Sequence, residues 1–272
     1  MTKTSFILLL TIGVIAMLTT TAQAAPTFKL KAPAYYFSDK RTLALVDAAL
    51  AGDLRSAKLA VAQGANPNDE GPLQNKYNRL RPLHYAIAAN NKDAVRVLVS
   101  VGADPELSAL GYGRSFLFAM TLENLDIISL LLDLRPITSL RKETIEYILF
   151  GSVNQQCWKC LELFLKRGAP IDYPDGPGYT VMMAAMDCQD YEMAEKLLQH
   201  GASVHVETKN GVTPAYSVEF HLKKFIPGSP TYKKVLHLKE MMAARGAVFP
   251  ASSPEEVRAR REKQNGSLSH NR

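Results

Sequence analysis

The stretch Arg81 to Pro105, RPLHYAIAANNKDAVRVLVSVGADP, decides the reading of the whole chain, because its landmarks return on both sides of it. Pro82 suits a first helical turn, where the amide it lacks would find no partner in any case. Val95, Leu98 and Val99 recur at helical spacing and predict a second helix with one apolar stripe; Gly102 supplies the permissive backbone that leaves it. Two short antiparallel helices cannot bury their own apolar faces. They must stack against copies of themselves, which predicts a period of about 33 residues.

Counting from Ala86 in steps of 33 lands on Ala119, Ser152, Ala185 and Val218, each followed by a loop and a second apolar helix. The exits agree at Gly102-Ala103, Gly168-Ala169, Gly201-Ala202 and Gly246-Ala247, while Leu134-Arg135-Pro136 lacks the glycine. Upstream, Ala48 and Gly64-Ala65-Asn66-Pro67-Asn68 add a first unit, set 38 residues before the second. Within the unit, Arg81-Pro82-Leu83-His84-Tyr85-Ala86 resembles the Thr-Pro-Leu-His-x-Ala helix start of the ankyrin-repeat family. Gly102-Ala103-Asp104-Pro105 resembles that family's Gly-Ala-Asp-x-Asn exit. Asp175-Gly176-Pro177-Gly178-Tyr179-Thr180 and Asn210-Gly211-Val212-Thr213-Pro214 keep the turn. Arg114-Ser115-Phe116-Leu117 and Tyr147-Ile148-Leu149-Phe150 depart from it, and their turns are expected to be distorted. The resemblance implies an all-α ankyrin-repeat solenoid of about six stacked helix-turn-helix units over residues 38–250, closed by terminal capping helices. The histidine at position 84 is then a structural tie between neighbouring turns.

At the start of the chain, Lys3 precedes the apolar run Phe6 to Leu18, and Ala22-Gln23-Ala24 offers small residues at cleavage spacing. This reads as a secretory signal peptide over residues 1–24, typical of export to a periplasm or beyond the cell. The run of 13 residues is short of the roughly 20 that span a bilayer, so membrane contact is not expected after cleavage. Residues 25–37 form an N-terminal extension whose Tyr35-Tyr36-Phe37 cluster is expected to cover the open end of repeat one, followed by Ser38 and Asp39 as helix caps. At the other end, Ser253-Pro254-Glu255-Glu256 resembles a capping box. Residues 251–272 are read as a short charged helix to about Lys263 and a frayed tail from Gln264.

Without Lys3 the chain has 31 basic and 26 acidic side chains, a mild and dispersed excess that shows no stripe for nucleic acid. Two insertions break the period. Asp69 to Arg79 enlarges the turn before repeat two, and Leu222 to Lys234, which mixes lysines with aromatics, is expected as a loop between the helices of repeat six. Cys157-Trp158-Lys159-Cys160 has redox spacing, yet no βαβ pattern surrounds it and the Gly-Pro centre of thioredoxin-like motifs is absent. Aligning the repeats puts Cys188 near the position that Cys157 occupies one unit earlier. Either a Cys157–Cys188 bridge clamps adjacent repeats, by about 3 to 4 kcal/mol on chain-entropy grounds, or the thiols stay free.

The six histidines are scattered and none stands at ligand spacing with the cysteines, so no metal or cofactor is expected. Gly-x-Ser-x-Gly, phosphate-binding glycine loops and His-Glu-x-x-His are all missing, so no catalytic residue is assigned and a non-enzyme is expected. The resemblance implies instead a protein partner on the concave face, made by turn tips and inner helices. Its variable positions carry over to Tyr77, Asn78, Leu80, Leu110, Gly113, Asn154, Gln155, Pro177, Tyr179, Asp187, Lys209, Asn210 and Val212. The resulting expectation is a periplasmic binding module, monomeric when free, acting as an immunity protein against a delivered toxin. Alternatives are support of a periplasmic catalase or peroxidase and a secreted effector that binds host proteins.

Overall fold

The N-terminal helices form where local chemistry caps them. A computed structural model describes residues 29–72 and 79–269. The expected signal peptide and two expected contact residues, Tyr77 and Asn78, lie outside the described residues. Helix α1 (Pro33–Tyr36) leads into α2 (Lys40–Leu50), where Asp39 caps the first turn by accepting the amide of Arg41. That carboxyl is held down to about 2 by its hydrogen bonds to the Arg41 side chain and backbone. Then come α3 (Leu54–Ala62), α4 (Pro82–Ala88) and α5 (Lys92–Ser100). A two-residue hairpin follows, β1 (Ser108–Ala109) antiparallel to β2 (Gly113–Arg114). The chain continues through α6 (Ser115–Thr121), α7 (Leu125–Leu134), a 3-10 turn at Ile137–Ser139, α8 (Lys142–Asn154) and α9 (Trp158–Lys166). Last come α10 (Val181–Asp187), α11 (Tyr191–Gln199), α12 (Pro214–Lys224), α13 (Pro230–Ala244) and α14 (Pro254–Ser269).

The even-numbered helices α2 to α12 pack in a row, each on the next, and the odd-numbered helices back them. The 33-residue step lands on the core at every turn: Ala86, Ala119, Ser152, Ala185 and Val218 are each buried to 1% exposure or less. Ser152 is tolerated there because its hydroxyl donates to the carbonyl of Ile148. Each second helix is started by one residue that repeats along the stack. Asp53, Asn91, Asn124, Cys157 and Asp190 accept the amides of Ser56, Ala94, Ile127, Cys160 and Met193. The residue just before each of these caps takes positive φ, at Gly52, Asn90, Glu123, Gln156 and Gln189.

Four expectations are corrected here. The insertion in repeat six is not a long loop: α12 has 11 residues against 7 in α10, and α13 has 15 against 9 in α11, so most of the added chain is helix. Ser229 and Pro230 start α13 early, with the Ser229 side chain accepting from Tyr232. Secondly, α14 runs to Ser269, well past Lys263, although its capping box forms as read, with reciprocal bonds between Ser253 and Glu256. Thirdly, the aromatic cluster reaches beyond repeat one. Tyr36 and Phe37 both stack edge-on against Tyr85 of repeat two.

The fourth concerns the cysteines. The structure closes Cys157–Cys160, not Cys157–Cys188, and Cys188 is an exposed free thiol. The reason is local. A capping side chain folds back over the first helical turn, toward the residue three places on, and Cys160 stands there with its Cα 5.3 Å away. Cys188 instead ends α10, pointing its thiol to solvent.

Candidate protein-binding face

The distorted turns of repeats three and four border two open grooves. Where Gly102 ends repeat two with positive φ, the third exit has Arg135 at φ −139 and ψ 90, and the chain is pinned by a buried carboxylate from the preceding turn. Glu106 accepts the Arg141 amide at 2.8 Å and an Arg135 guanidinium N–H at 3.2 Å, with no side-chain exposure of its own. With Arg141 fixed as the cap of α8, that helix begins at Lys142 and has 13 residues, nearly two turns more than α6. The extra turns carry Glu143, Glu146 and Tyr147 onto the inner face. Tyr147 sits under the Arg114 guanidinium, 5.0 Å from ring centre, and close to Gly113, where any Cβ would meet the Tyr147 hydroxyl at 2.8 Å.

Two open grooves result. One of about 430 Å³ is lined by Leu117, Glu143, Glu146, Tyr147, Phe150, Asn154 and Gln155. The adjoining one, about 660 Å³, runs from Glu143 and Glu146 past Asp172, Tyr173 and Asp175 to Glu207, Lys209 and Arg261. Several carboxylates here are occupied: Asp172 accepts Ser203, Asp175 accepts Gly178 and Tyr179, and Glu207 pairs with Arg260 and Arg261. Among the described residues, no ion pair engages Glu143 or Glu146. An apolar and aromatic floor with two unpaired carboxylates suits a partner segment that brings both apolar area and positive charge.

The expected contact residues separate into groups. Gly113, Asn154 and Gln155 border the first groove and Lys209 the second, while Leu110 stands at the hairpin tip, 46% exposed. Leu80 is corrected: it is fully buried within the hydrophobic core, so it has no surface for a partner. Pro177 is exposed, but its carbonyl already accepts Lys209, tying the tips of repeats five and six together. Tyr179 and Val212 are half-buried. Asn210 is exposed, yet its carbonyl accepts Arg258 of α14, which lies across that tip. Asp187 belongs elsewhere, facing His221 at 3.3 Å at the far end of α10, where His221 also meets Tyr191 at 2.7 Å. Burial first, and Asp187 second, push the Tyr191 hydroxyl up to about 12. Glu143, Glu146, Tyr147, Phe150 and Tyr173 were missed from sequence, since strict transfer by period marks turn tips and α8 starts ahead of its period.

No helix among the described residues is long and apolar enough to cross a membrane, and no group of three or more of their His, Cys, Asp and Glu side chains is placed to hold a metal ion.

A model for "Ankyrin repeats (3 copies)" matches residues 45–143 and one for "Ankyrin repeat" matches residues 177–209. Between those ranges lies repeat four, with its lengthened α8. The B-cell lymphoma 3 protein homolog of Mus musculus is 31% identical over 149 residues, which is 52% of this chain and 33% of that protein. The chain thus spans about a third of the length of that relative. Among solved structures, the ankyrin repeat domain of Bcl-3, described as a unique member of the IkappaB protein family, superposes with a TM-score of 0.58 at 23% identity, covering 81% of this chain and 94% of that one. An ankyrin repeat domain from Acinetobacter baumannii AYE gives a TM-score of 0.49 at 18% identity, covering 74% and 97%. Ankyrin repeats are protein–protein interaction modules, and no catalytic family is matched. The chain carries ankyrin repeats at residues 45–143 and 177–209 and has the ankyrin-repeat fold.

Proposed function

We propose that this protein binds a protein partner through the groove of repeats three to five, and that the partner inserts a basic segment with an apolar anchor. The observation that carries the reading is the pair Glu143 and Glu146, unpaired beside Tyr147 and Phe150 on the lengthened α8. In a finer form, the protein is exported and works in the periplasm as an immunity protein, covering the cleft of a delivered toxin with its concave face. The N-terminal apolar run and its Ala-Gln-Ala site support export. A second reading, support of a periplasmic catalase or peroxidase, draws on the Cys157–Cys160 disulfide, which places redox-capable sulfur on the same solenoid.

The test is capture of partners from periplasmic and secreted fractions by the tagged chain, in parallel with Glu143→Lys/Glu146→Lys. A stoichiometric partner held by the wild type and lost by the double variant, with unchanged melting, supports the groove. Equal capture by both moves the site to the tips or to the 225–229 linker. In a deletion strain, death on toxin exposure marks immunity, whereas sensitivity to peroxide alone marks the auxiliary role.

A further inference from the structure

The disulfide stands at the one cap position of the stack that holds sulfur. Its neighbours in the ladder, Asn91, Asn124 and Asp190, hold the same third-residue amide with oxygen, at 2.9, 3.0 and 3.0 Å, and Cys157 holds it with Sγ at 3.2 Å. An acidic side chain, Asp190, fills this position one repeat later and accepts the Met193 amide, so the fold accommodates an acidic cap there. A thiolate released at Cys157 therefore inherits a ready cap, favoured by the amides and dipole of a nine-residue helix. Cys160, by contrast, is fully buried among the core side chains, where a reduced cysteine behaves as a small apolar residue. Both redox states then fit the same helix, and one sulfur of the pair faces solvent more than the other.

We propose that Cys157–Cys160 is an exchangeable disulfide that accepts electrons from thiols, with Cys157 the sulfur attacked. An external thiolate attacks Cys157 Sγ and forms a mixed disulfide while the Cys157–Cys160 bond breaks; Cys160 leaves as a thiolate and takes a proton from water. A second external thiolate attacks the outer sulfur of the mixed disulfide, releasing Cys157 as the capping thiolate. Two thiols are oxidised to one disulfide as the protein disulfide is reduced to two thiols. The stabilised reduced form makes the exchange favourable, as for other pairs whose attacked sulfur caps a helix. Trp158, the only tryptophan in the chain, lies between the two cysteines with Lys196 5.5 Å from its ring and His200 edge-on at 5.0 Å, so its fluorescence reports the state of the pair.

The experiment uses the purified full chain carrying Cys188→Ser, equilibrated without denaturant in mixtures of reduced and oxidised glutathione. The expected result is one reversible transition in Trp158 fluorescence, matched by the gain of two alkylatable thiols and with the helical circular dichroism unchanged. With Cys160→Ser or Cys160→Ala added, glutathione is trapped on Cys157, at least about tenfold more than on Cys160 in the Cys157→Ser chain. Reduction only after urea unfolds the chain, loss of helix on reduction, or two free thiols in fully oxidising buffer each overturn the proposal. The titration of the Cys188→Ser chain, whose change removes an exposed free thiol only, decides it even where the Cys157 or Cys160 variants fail to fold.

Discussion

His84 on α4 donates from Nε2 to the carbonyl of Gly113 at 2.9 Å, so the first helix of repeat two is tied to the hairpin that opens repeat three. The acceptor is a carbonyl, so that nitrogen must carry the proton, and Nδ1 is buried without a hydrogen-bond partner. The ring is thereby held neutral. Burial, with some help from the Arg81 charge, pushes it down to about 4.

Because the folded value lies below that of a free imidazole, the unfolded chain binds the extra proton first. The contribution is complete above about pH 6.5 and is lost as pH falls toward 4, on the order of 3 kcal/mol in total. His84→Gln keeps a donor near the same place without titrating. Urea unfolding at pH 7, 5.5 and 4.5 is expected to show a smaller acid loss for the variant than for the wild type, and parallel profiles would exclude His84 as a source.

Glu106 has no exposure and meets Arg135 and Arg141 from the next repeat. Glu106→Ala leaves the Arg141 amide and the part-exposed Arg135 guanidinium short of their acceptor, and a loss of about 1 to 3 kcal/mol is expected. Hydrogen exchange should localise the damage to α7 and α8. A loss below about 1 kcal/mol would mean that water replaces the carboxylate freely.

Gly201 leaves α11 at φ +98, and a Cβ added there would meet nothing within 4 Å, so its only constraint is backbone conformation. Gly201→Ala is expected to lower the melting temperature by roughly 2–8 °C. Gln189 has the opposite mismatch, a side chain at φ +60, and Gln189→Gly is expected to gain up to about 1 kcal/mol. Calorimetry of the two variants gives shifts of opposite sign if the fold sets these angles.

Gly211 lies so close to the start of α14 that an added Cβ would collide with the Pro254 carbonyl oxygen. Gly211→Ala is expected to lift α14 from the tip of repeat six, breaking the Arg258–Asn210 and Arg261–Thr208 bonds. Limited proteolysis should then cut near Pro254 several-fold faster while the rest of the chain resists. Unchanged cleavage would show that the tip shifts instead.

The regular part of the solenoid was legible in the amino-acid sequence alone. Ala86, Ala119 and Ala185, the exit glycines, and the Ser253–Glu256 box are local signals, each set by helix periodicity, a left-handed exit or a cap within a few residues. The same logic exposed the insertion in repeat six but not its form: the Ser229-Pro230 cap starts α13 early, and α13 packs along α11.

The tertiary structure decided what depends on residues meeting across repeats. Glu106 reads as a solvated turn carboxylate until Arg135 and Arg141 close over it, and Leu80 reads as a contact residue until its neighbours bury it. Cys157 finds Cys160 because a capping side chain turns along its own helix, a direction that aligning whole repeats does not resolve. The groove of Glu143, Glu146, Tyr147 and Phe150 exists because a pinned Arg141 starts α8 early. Sequence periodicity specifies which residues are buried in each repeat; which exposed side chains share a surface is set by the three-dimensional stacking, where repeats depart from their own period.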